Sequence, residues 1–210
     1  MLENIECLGH STIKFNKMGT IIYVDPYNIE EESHDADIIF VTHSHYDHYS
    51  EENISKIKRD DTKIVVTSDL GNNVIDYGFM SSDVTIVLPN NKYEVDGIKF
   101  STINSYNINK QFHPKENNWV GYIIELECIK YYIAGDTDIN EDNKNVKCDV
   151  AFVPVGGTYT TTAKEAAEFV NIIKPKVAVP IHYGTIVGSE EDANIFRDNV
   201  EDNIEVKIMM

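Results

Sequence analysis

Short apolar runs, separated by polar and glycine-containing segments, recur along the whole chain. The clearest is residues 37–41, a β-branched run after an acidic loop, which indicates a buried strand. The same pattern predicts strands at residues 4–7, 12–15, 21–24, 63–67, 84–88, 93–94, 98–103, 120–126, 130–134, 149–155, 177–181 and 204–208. Helices are predicted at residues 51–57, 163–173 and 190–198, and one more begins at Ser68. Strands and helices that alternate in this way favour an α/β fold with mixed sheets and helices outside them.

Local signals at three places strengthen these assignments. Thr162 and Glu165 form the pattern of a capping box, so a helix is expected to begin at Ala163. The dipeptide Asp96-Gly97 between two short strands is typical of a tight hairpin. The hydroxyl of Ser68 is expected to cap the helix that follows it.

Four potential metal ligands follow the strand at residues 37–41, within the segment Thr-His-Ser-His-Tyr-Asp-His. If the backbone stays extended here, side chains alternate, so that His43 and His45 point to the same side and can share one ion. Asp47 and His48 are adjacent and cannot easily both face that ion, which makes them the ligands of a second ion close by. Asp47 is also available to orient a water molecule there.

Two further potential ligands follow later strands. Asp136 comes after the run at residues 130–134, and His182 comes after the run at 177–181. Like His43, both lie just past the carboxyl end of an apolar strand, where open α/β proteins place their sites. A carboxylate can bridge two cations, and the preceding glycine allows a close backbone approach, so Asp136 is the predicted bridging ligand.

The pattern His-x-His-x-Asp-His at residues 43–48 resembles the signature of the metallo-β-lactamase superfamily. Motifs around it resemble the branch of metal-dependent hydrolases that includes the ascorbate-6-phosphate lactonases; they lie at residues 9–12, 25–27, 135–138, 154–159 and 180–184. The resemblance extends from about residue 3 to about residue 188. It implies an αββα four-layer sandwich, in which two mixed β-sheets pack face to face with helices on the outer faces. Residues 1–210 would form this sandwich as a single hydrolase domain.

The resemblance also implies a separate histidine, between the central motif and the later aspartate, that completes the first metal site. His113 is the only histidine in that interval. Its neighbours differ from the Gly-His-Thr context that is usual in the family. The alternative is therefore that His113 is a loop histidine and that water completes the first site.

Asp25, His10 and Tyr183 are implied to surround the metals. A carboxylate at a strand end can accept the free N–H of a ligating imidazole, which makes Asp25 a supporting residue; on its own, Asp25-Pro26 would indicate an ordinary turn. His10 is expected in the pocket or, alternatively, as a hydrogen-bonded loop residue. Tyr183, Tyr159 and His10 are the candidates for the acid that protonates a leaving group.

Composition restricts the class of partner. The formal net charge is −17, from 18 Lys plus Arg against 35 Asp plus Glu, and the basic residues form no block. Binding of nucleic acid needs a basic stripe and is disfavoured, and acidity alone indicates no more than solubility. The three cysteines have no paired spacing and are expected to be reduced and near the core. With no leader and no membrane-length apolar segment, a cytoplasmic protein without a membrane partner is expected.

The predicted ligands favour two divalent ions. Zinc is preferred because the set is rich in histidine, and manganese or iron are the alternatives. Two such ions generate a hydroxide nucleophile and polarise the oxygen of the group under attack, which is hydrolytic chemistry. His45 stands where the oxygen-reducing di-iron branch of the superfamily has glutamate, which argues against redox use. The short interval between Asp136 and His182 leaves no room for the extra domain of the RNA-processing nucleases.

The sequence supports a leading hypothesis and two alternatives. The leading hypothesis is a metal-dependent hydrolase of a small, anionic molecule, either a sugar-phosphate lactone or a phosphodiester, for which Lys110 and Lys115 are the nearest positive charges. The alternatives are a broad lactone or thioester hydrolase without phosphate preference, and a non-enzymatic metal-binding protein that kept the fold. The expected partner is a small-molecule substrate, and a homo-oligomer is left open.

Overall fold

The computed structural model describes all 210 residues and contains two β-sheets. The first sheet has six strands, which are β1 (Ile5–Gly9), β2 (Thr12–Lys17), β3 (Thr20–Val24), β4 (Ala36–Phe40), β5 (Lys58–Thr67) and β6 (Val84–Val87). The second sheet has seven, which are β7 (Lys92–Val95), β8 (Ile98–Asn104), β9 (Val120–Leu126), β10 (Ile129–Ile133), β11 (Val150–Pro154), β12 (Val177–Ile181) and β13 (Glu205–Val206). In each sheet the strands therefore lie side by side in sequence order. The first sheet is built from the first half of the chain, and the second sheet from the second half.

Each sheet combines antiparallel hairpins with a parallel region. In the first sheet β1, β2 and β3 are antiparallel neighbours, and β3 to β6 run parallel. In the second sheet β7 to β10 are antiparallel neighbours, and β10 to β13 run parallel. The carboxyl ends of the parallel strands are where polar side chains are expected to gather. The mixed sheets predicted from the sequence are confirmed.

Four helices cover the outer faces of the sheets. They are α1 (Glu51–Ile57), α2 (Gly71–Asp76), α3 (Ala163–Ile173) and α4 (Glu190–Asn199). A central core between the sheets contains Phe15, Phe40, Tyr122 and Phe152. Two further cores lie outside it, one that joins the first sheet to α1 and α2, and one that joins the second sheet to α3 and α4. The four layers of the αββα sandwich are thus all present.

Several local predictions are confirmed, and one is wrong. The Thr162–Glu165 capping box starts α3, and β7 and β8 form the hairpin around Asp96-Gly97. Ser68 does not cap a helix: it opens a short 3-10 turn without a side-chain cap, and α2 begins only at Gly71. The turn is held instead by Thr67, whose hydroxyl donates to Asp69 Oδ1 at 2.6 Å.

The outer face of β7 to β10 is polar. Charges alternate across it from strand to strand, because Glu94 pairs with Lys99 in register, Lys99 with Glu125, and Glu125 with Lys130. Such cross-strand pairs of opposite charge stabilise a solvated sheet face. None of the helices has the length and the apolar composition that crossing a bilayer requires.

The cysteines are free thiols, as expected, but they are not all near the core. Cys7 and Cys148 are half-buried, and burial raises the pKa of each thiol to about 12. Cys128 is exposed, so its predicted place near the core is wrong. It lies in the tight turn between β9 and β10, with a left-handed φ of 62°, and a two-residue turn projects away from the sheet.

Candidate metal centre

Side chains from both sheets meet at one end of the sandwich. Asp25 follows β3, the central histidine motif follows β4, Asp136 follows β10, and His182 follows β12 directly. The loops after β1 and after β8 add His10 and His113. All seven residues predicted as metal ligands lie in this cluster, and most are buried.

Three imidazoles form what we call the first donor set: His43, His45 and His113. His43 Nε2 and His113 Nε2 each lie 3.1 Å from His45 Nδ1. Ligand atoms around a tetrahedral zinc ion, with bonds of about 2.0–2.1 Å, are separated by about 3.3 Å. The spacing of these three nitrogens therefore suits a single ion. His113 lies beside His43 and His45, as the resemblance implied.

Asp47, His48 and His182 form the second donor set. His48 Nε2 and His182 Nε2 each lie 3.7 Å from Asp47 Oδ2. Asp47 is grouped apart from His43 and His45, whereas the ligand atom of His48 also lies within 4.8 Å of those of His43 and Asp136. The second set differs in chemistry from the first because it includes a carboxylate.

Asp136 lies between the two sets. Its Oδ2 is 3.2 Å from His113 Nε2 in the first set and 3.1 Å from His182 Nε2 in the second. Its Oδ1 is 3.2 Å from His48 Nε2. The geometry is the one required of a carboxylate that bridges two cations. The Cβ of any residue in place of Gly135 would come within 3.1 Å of Val120 O, which explains the glycine before this aspartate.

The residues present fit a pair of metal ions. Four buried polar atoms of the cluster have no hydrogen-bond partner: His48 Nε2, Asp136 Oδ1, His182 Nδ1 and His182 Nε2. Buried polar atoms are nearly always paired, since an unpaired one costs about 1–3 kcal/mol. Three of these orphans point between the predicted ligands, so divalent cations held by nitrogen and carboxylate oxygen would satisfy them.

The electrostatics of the cluster favour positive charge. Burial opposes ionisation of Asp136, but the imidazoles of His182 and His48 outweigh it and hold the pKa of this carboxyl well below its usual range. Burial likewise opposes the charged form of His182, yet Asp136 raises its pKa to about 9. Burial and the neighbouring His48 keep the pKa of His43 well below its usual value. His43 is thus neutral, the form in which an imidazole binds metal.

Asp25 is hydrogen-bonded to His48 of the second donor set. Its Oδ2 lies 2.8 Å from His48 Nδ1 and accepts a second hydrogen bond from the Thr42 hydroxyl, while Oδ1 accepts the Thr42 backbone N–H. Because a carboxylate accepts the proton on Nδ1, the Nε2 of His48 is left to face the cluster. Asp25 is fully buried and so has no competing water.

His10 is hydrogen-bonded to Asp47, and its ligand atom lies within 4.8 Å of those of the second donor set. Its Nε2–H donates to Asp47 Oδ2 at 2.9 Å, and its Nδ1 lies 3.1 Å from the Thr185 hydroxyl. Burial lowers the pKa of His10 despite the neighbouring carboxylate, so the ring is neutral with its proton on Nε2. His10 is completely buried and does not line the cavity, contrary to one of the two expectations for it.

Four residues of the cluster have a strained backbone. His10, Asp25, His113 and His182 all have left-handed φ values between 49° and 60°, which side-chain-bearing residues rarely adopt. Such strain is typical of functional sites. Gly156 contributes differently: a Cβ there would lie 2.5 Å from His182 O, so only glycine lets the β11 exit pack against this histidine.

Two residues of the site were given no role by the sequence argument. The Trp119 indole packs on the first donor set, with ring centroids 4.8 Å from both His43 and His45, and its Nε1–H donates to Asp69 Oδ2 at 2.9 Å. Asp69 lies two residues beyond the carboxyl end of β5. The rule that sites gather at such ends was the signal that could have indicated it.

A cavity of about 220 Å³ opens beside the cluster. Half of its lining consists of predicted ligands: His45, Asp47, His113 and Asp136. The other half, here named the apolar lining, consists of Tyr46, Phe112, Tyr159 and Ile186. The volume is below the range of about 300–1,000 Å³ that holds drug-sized ligands.

Three side chains expected near the substrate lie elsewhere. Tyr183 does not line the cavity: its ring is buried in the core between the second sheet and α3 and α4. The left-handed backbone at His182 turns the chain, so the two neighbours point in different directions. Lys110 pairs with Asp138 and Lys115 with Asp142, and neither lysine lines the cavity.

Comparison with known proteins agrees with this geometry. Residues 4–182 match the family model for the beta-lactamase superfamily domain. A "UPF0173 metal-dependent hydrolase" from Thermococcus onnurineus is 31% identical over 99% of this chain and 96% of its own length. The crystal structure of a candidate metal-dependent hydrolase from Parabacteroides distasonis superimposes with a TM-score of 0.82 at 26% identity, covering 98% of this chain and 91% of its own.

A second solved structure shares the fold at lower identity. Igni18, a metallo hydrolase from Ignicoccus hospitalis, is 20% identical with a TM-score of 0.78, over 98% of this chain and 94% of its own. The match to the family model covers well over half of the chain and includes all seven predicted metal ligands, with His182 at its last residue. The chain therefore belongs to the beta-lactamase superfamily and, within it, to the metal-dependent hydrolases.

Proposed function

We propose that the protein is a dinuclear metal-dependent hydrolase of a small molecule. The observation that carries the proposal is that two donor sets share Asp136, with unpaired buried ligand atoms directed between them. His43, His45 and His113 would hold one ion, and Asp47, His48 and His182 the other, with Asp136 common to both. The histidine-rich donors favour zinc, with manganese or iron as alternatives.

Ions held in these sets would supply a hydroxide nucleophile from water near neutral pH and polarise the oxygen of the group under attack. The chain's own residues prepare the reaction. Asp47 lines the cavity, and His10 fixes its carboxylate, so Asp47 can orient a water by accepting one of its protons. Asp25 keeps His48 in the tautomer that ligates.

A leaving group needs a proton as its bond breaks. Of the three candidates named from the sequence, Tyr159 alone lines the cavity, whereas His10 is buried against Asp47 and Tyr183 lies in the core. We assign the proton donor to the Tyr159 hydroxyl. Its ring stands edge-on to Phe112, with 4.9 Å between the ring centroids, and this contact holds it at the cavity.

Two substrate classes carry the reactive groups that this chemistry attacks. Anionic substrates, such as a sugar-phosphate lactone or a phosphodiester, would be drawn to the positive field of the loaded centre. Neutral lactones, esters or thioesters would bind through contacts with the cavity lining. The apolar character of half of that lining favours the second class.

The proposal is tested by elemental analysis of the protein purified without chelator or metal-binding tag, together with a hydrolysis screen of lactones, esters, thioesters and phosphodiesters. We expect about two divalent ions per chain and turnover of at least one substrate class. An ion content near one would show that the two sets are not loaded together. Full loading without any turnover would favour a non-enzymatic metal-binding protein.

A further inference from the structure

The cavity beside the donor sets differs from what an anionic substrate needs. Its lining includes no lysine and no arginine. The nearest cations by sequence are engaged: Lys110 donates to Asp138 and to the Thr160 carbonyl, and Lys115 donates to Asp142 and lies over the Tyr106 ring at 4.6 Å. A phosphate group located away from the reacting bond would therefore enter the cavity without a partner, which is costly.

The apolar lining offers a different kind of contact. Tyr46 is 64% exposed and Phe112 is 45% exposed, whereas the other large aromatic side chains of the chain are buried or half-buried. Phe112 meets Tyr159 edge-on, with an angle of 89° between the rings, so the two rings form a corner at the cavity. Exposed apolar surface gathered at a concave site is typical of ligand contact.

The motif itself places one of these rings. Tyr46 stands between His45 and Asp47, so the backbone that positions two predicted ligands also positions the phenol ring. Phe112 immediately precedes His113 in the same way. Two of the four residues of the apolar lining are thus adjacent in sequence to predicted ligands.

We infer that the site takes small, uncharged lactones or esters with an apolar substituent, and that Phe112, Tyr46 and Tyr159 select them. This inference rests on the proposed function, since it names the substrate class of the same centre. In the reaction, water adds across the bond between the acyl carbon and the ester oxygen. The acyl carbon gains the hydroxyl, and the ester oxygen leaves as an alcohol with the second proton.

The test compares the metal-loaded wild type on two matched substrates, a γ-lactone with a phenyl substituent and the same lactone with a phosphate ester in place of the phenyl group. We expect kcat/KM to favour the phenyl lactone by about tenfold or more, the range in which apolar pocket contacts discriminate. A preference of that size for the phosphorylated lactone would overturn the inference, as would better turnover of bis-p-nitrophenyl phosphate than of p-nitrophenyl acetate.

Variants locate the selectivity. In Phe112→Ala, the ratio of kcat/KM for the phenyl lactone to that for unsubstituted γ-butyrolactone should fall by about tenfold. Ile108→Ala is the matched control: Ile108 is 53% exposed on the same loop but does not line the cavity, so the ratio should stay as in the wild type. Equal ratios in Phe112→Ala and the wild type would overturn the assignment to Phe112.

A gain of function and a binding measurement complete the test. Ile186→Lys places a cation on the lining and should raise kcat/KM for the phosphorylated lactone about tenfold.

The single Trp119 lies beside His45, so its fluorescence should be quenched by the uncharged probe p-nitrobenzamide, and less so in Phe112→Ala. If the probe quenches the fluorescence but no substrate is turned over, the proposed hydrolase activity is wrong and the preference of the cavity for apolar ligands stands. If the probe causes no quenching, the inferred preference for apolar ligands is wrong.

Discussion

The two donor sets differ in the chemistry of their predicted ligands and of the groups around them. The first consists of three imidazoles and is bordered by neutral groups: the Thr42 hydroxyl lies 3.0 Å from His43 Nδ1, and Trp119 packs on the rings. The second contains Asp47 and is surrounded by the carboxylate of Asp25 and by His10. Negative charge close to a cation strengthens its binding, so the second set is expected to hold its ion more tightly.

The sets also differ in how the backbone supports them. Both sets take histidines from the motif after β4; in addition, His182 of the second set follows β12 directly, whereas His113 of the first comes from the long loop between β8 and β9. That loop is tied down by Asn107, whose Nδ2 donates to the carbonyls of Phe112 and Tyr159. One predicted ligand of the first set thus depends on a long loop, whereas the additional histidine of the second set lies at the end of a buried strand.

The largest effect is expected where the two sets meet. Asp136→Ala removes the carboxylate that both share, so both ions should be lost and turnover should fall by about a thousandfold or more. Elemental analysis and the rate on the best substrate of the screen measure this. Asp138→Ala is the control, because Asp138 is engaged with Lys110 and is not among the predicted ligands. If Asp136→Ala retained both ions, each set would bind its ion independently, and Asp136 would not be a ligand that the two sets share.

The next effect tests the weaker set. His113→Ala should lower the metal content from about two ions to about one, because two imidazoles with the shared carboxylate hold zinc poorly. His34→Ala is the matched control, since His34 is an exposed histidine in an acidic loop. Unchanged metal content and activity in His113→Ala would show that the first set is completed by another ligand.

Several features of the site on which these predictions depend could be predicted from the sequence. His43 lies beside His45, as expected for an extended chain, although residues 44–48 form bends and a turn; the strand-end rule brought Asp136 and His182 to the same place. The capping box located the start of α3 to the residue. Each of these signals is local, or belongs to a single strand and its end, and such signals are carried by the sequence itself.

Other features could not be predicted because they depend on tertiary contacts. Trp119 and Asp69 are 50 residues apart, and their hydrogen bond arises only when β5 and β9 lie in facing sheets. The pairing of Lys110 with Asp138 also depends on tertiary contacts. Because it engages the lysine, it argues against Lys110 as a partner for an anionic substrate. Tyr183 was misplaced because the left-handed backbone at His182 is not visible in the residue types.

A smaller and more selective effect is expected at Asp25. Asp25→Asn keeps the shape of the side chain but weakens its acceptor for His48 Nδ1–H, so the affinity of the second set should fall about 10- to 100-fold while the first set is unchanged. A chelator titration that follows the two ions separately measures this. Asp37→Asn serves as the control, because Asp37 accepts from the Ile21 N–H and Arg59 far from the cluster. Equal weakening of both ions would mean that Asp25 maintains the fold and not one set.

The smallest effect is expected at the indole of Trp119. Trp119→Phe keeps an aromatic ring against His43 and His45 but removes the N–H that donates to Asp69, a bond to a charged group worth about 1.5–3 kcal/mol in favourable cases. Since the bond holds the ring and not the ion, only part of this energy should reach the metal, and the first ion should bind a few-fold more weakly. Cobalt substitution distinguishes positioning from simple packing: the visible spectrum of the first ion should change in Trp119→Phe and in Asp69→Asn, and that of the second should not. If both variants left the spectrum and the affinity as in the wild type, Trp119 would only fill space, and the first set would owe its arrangement to the His113 loop alone.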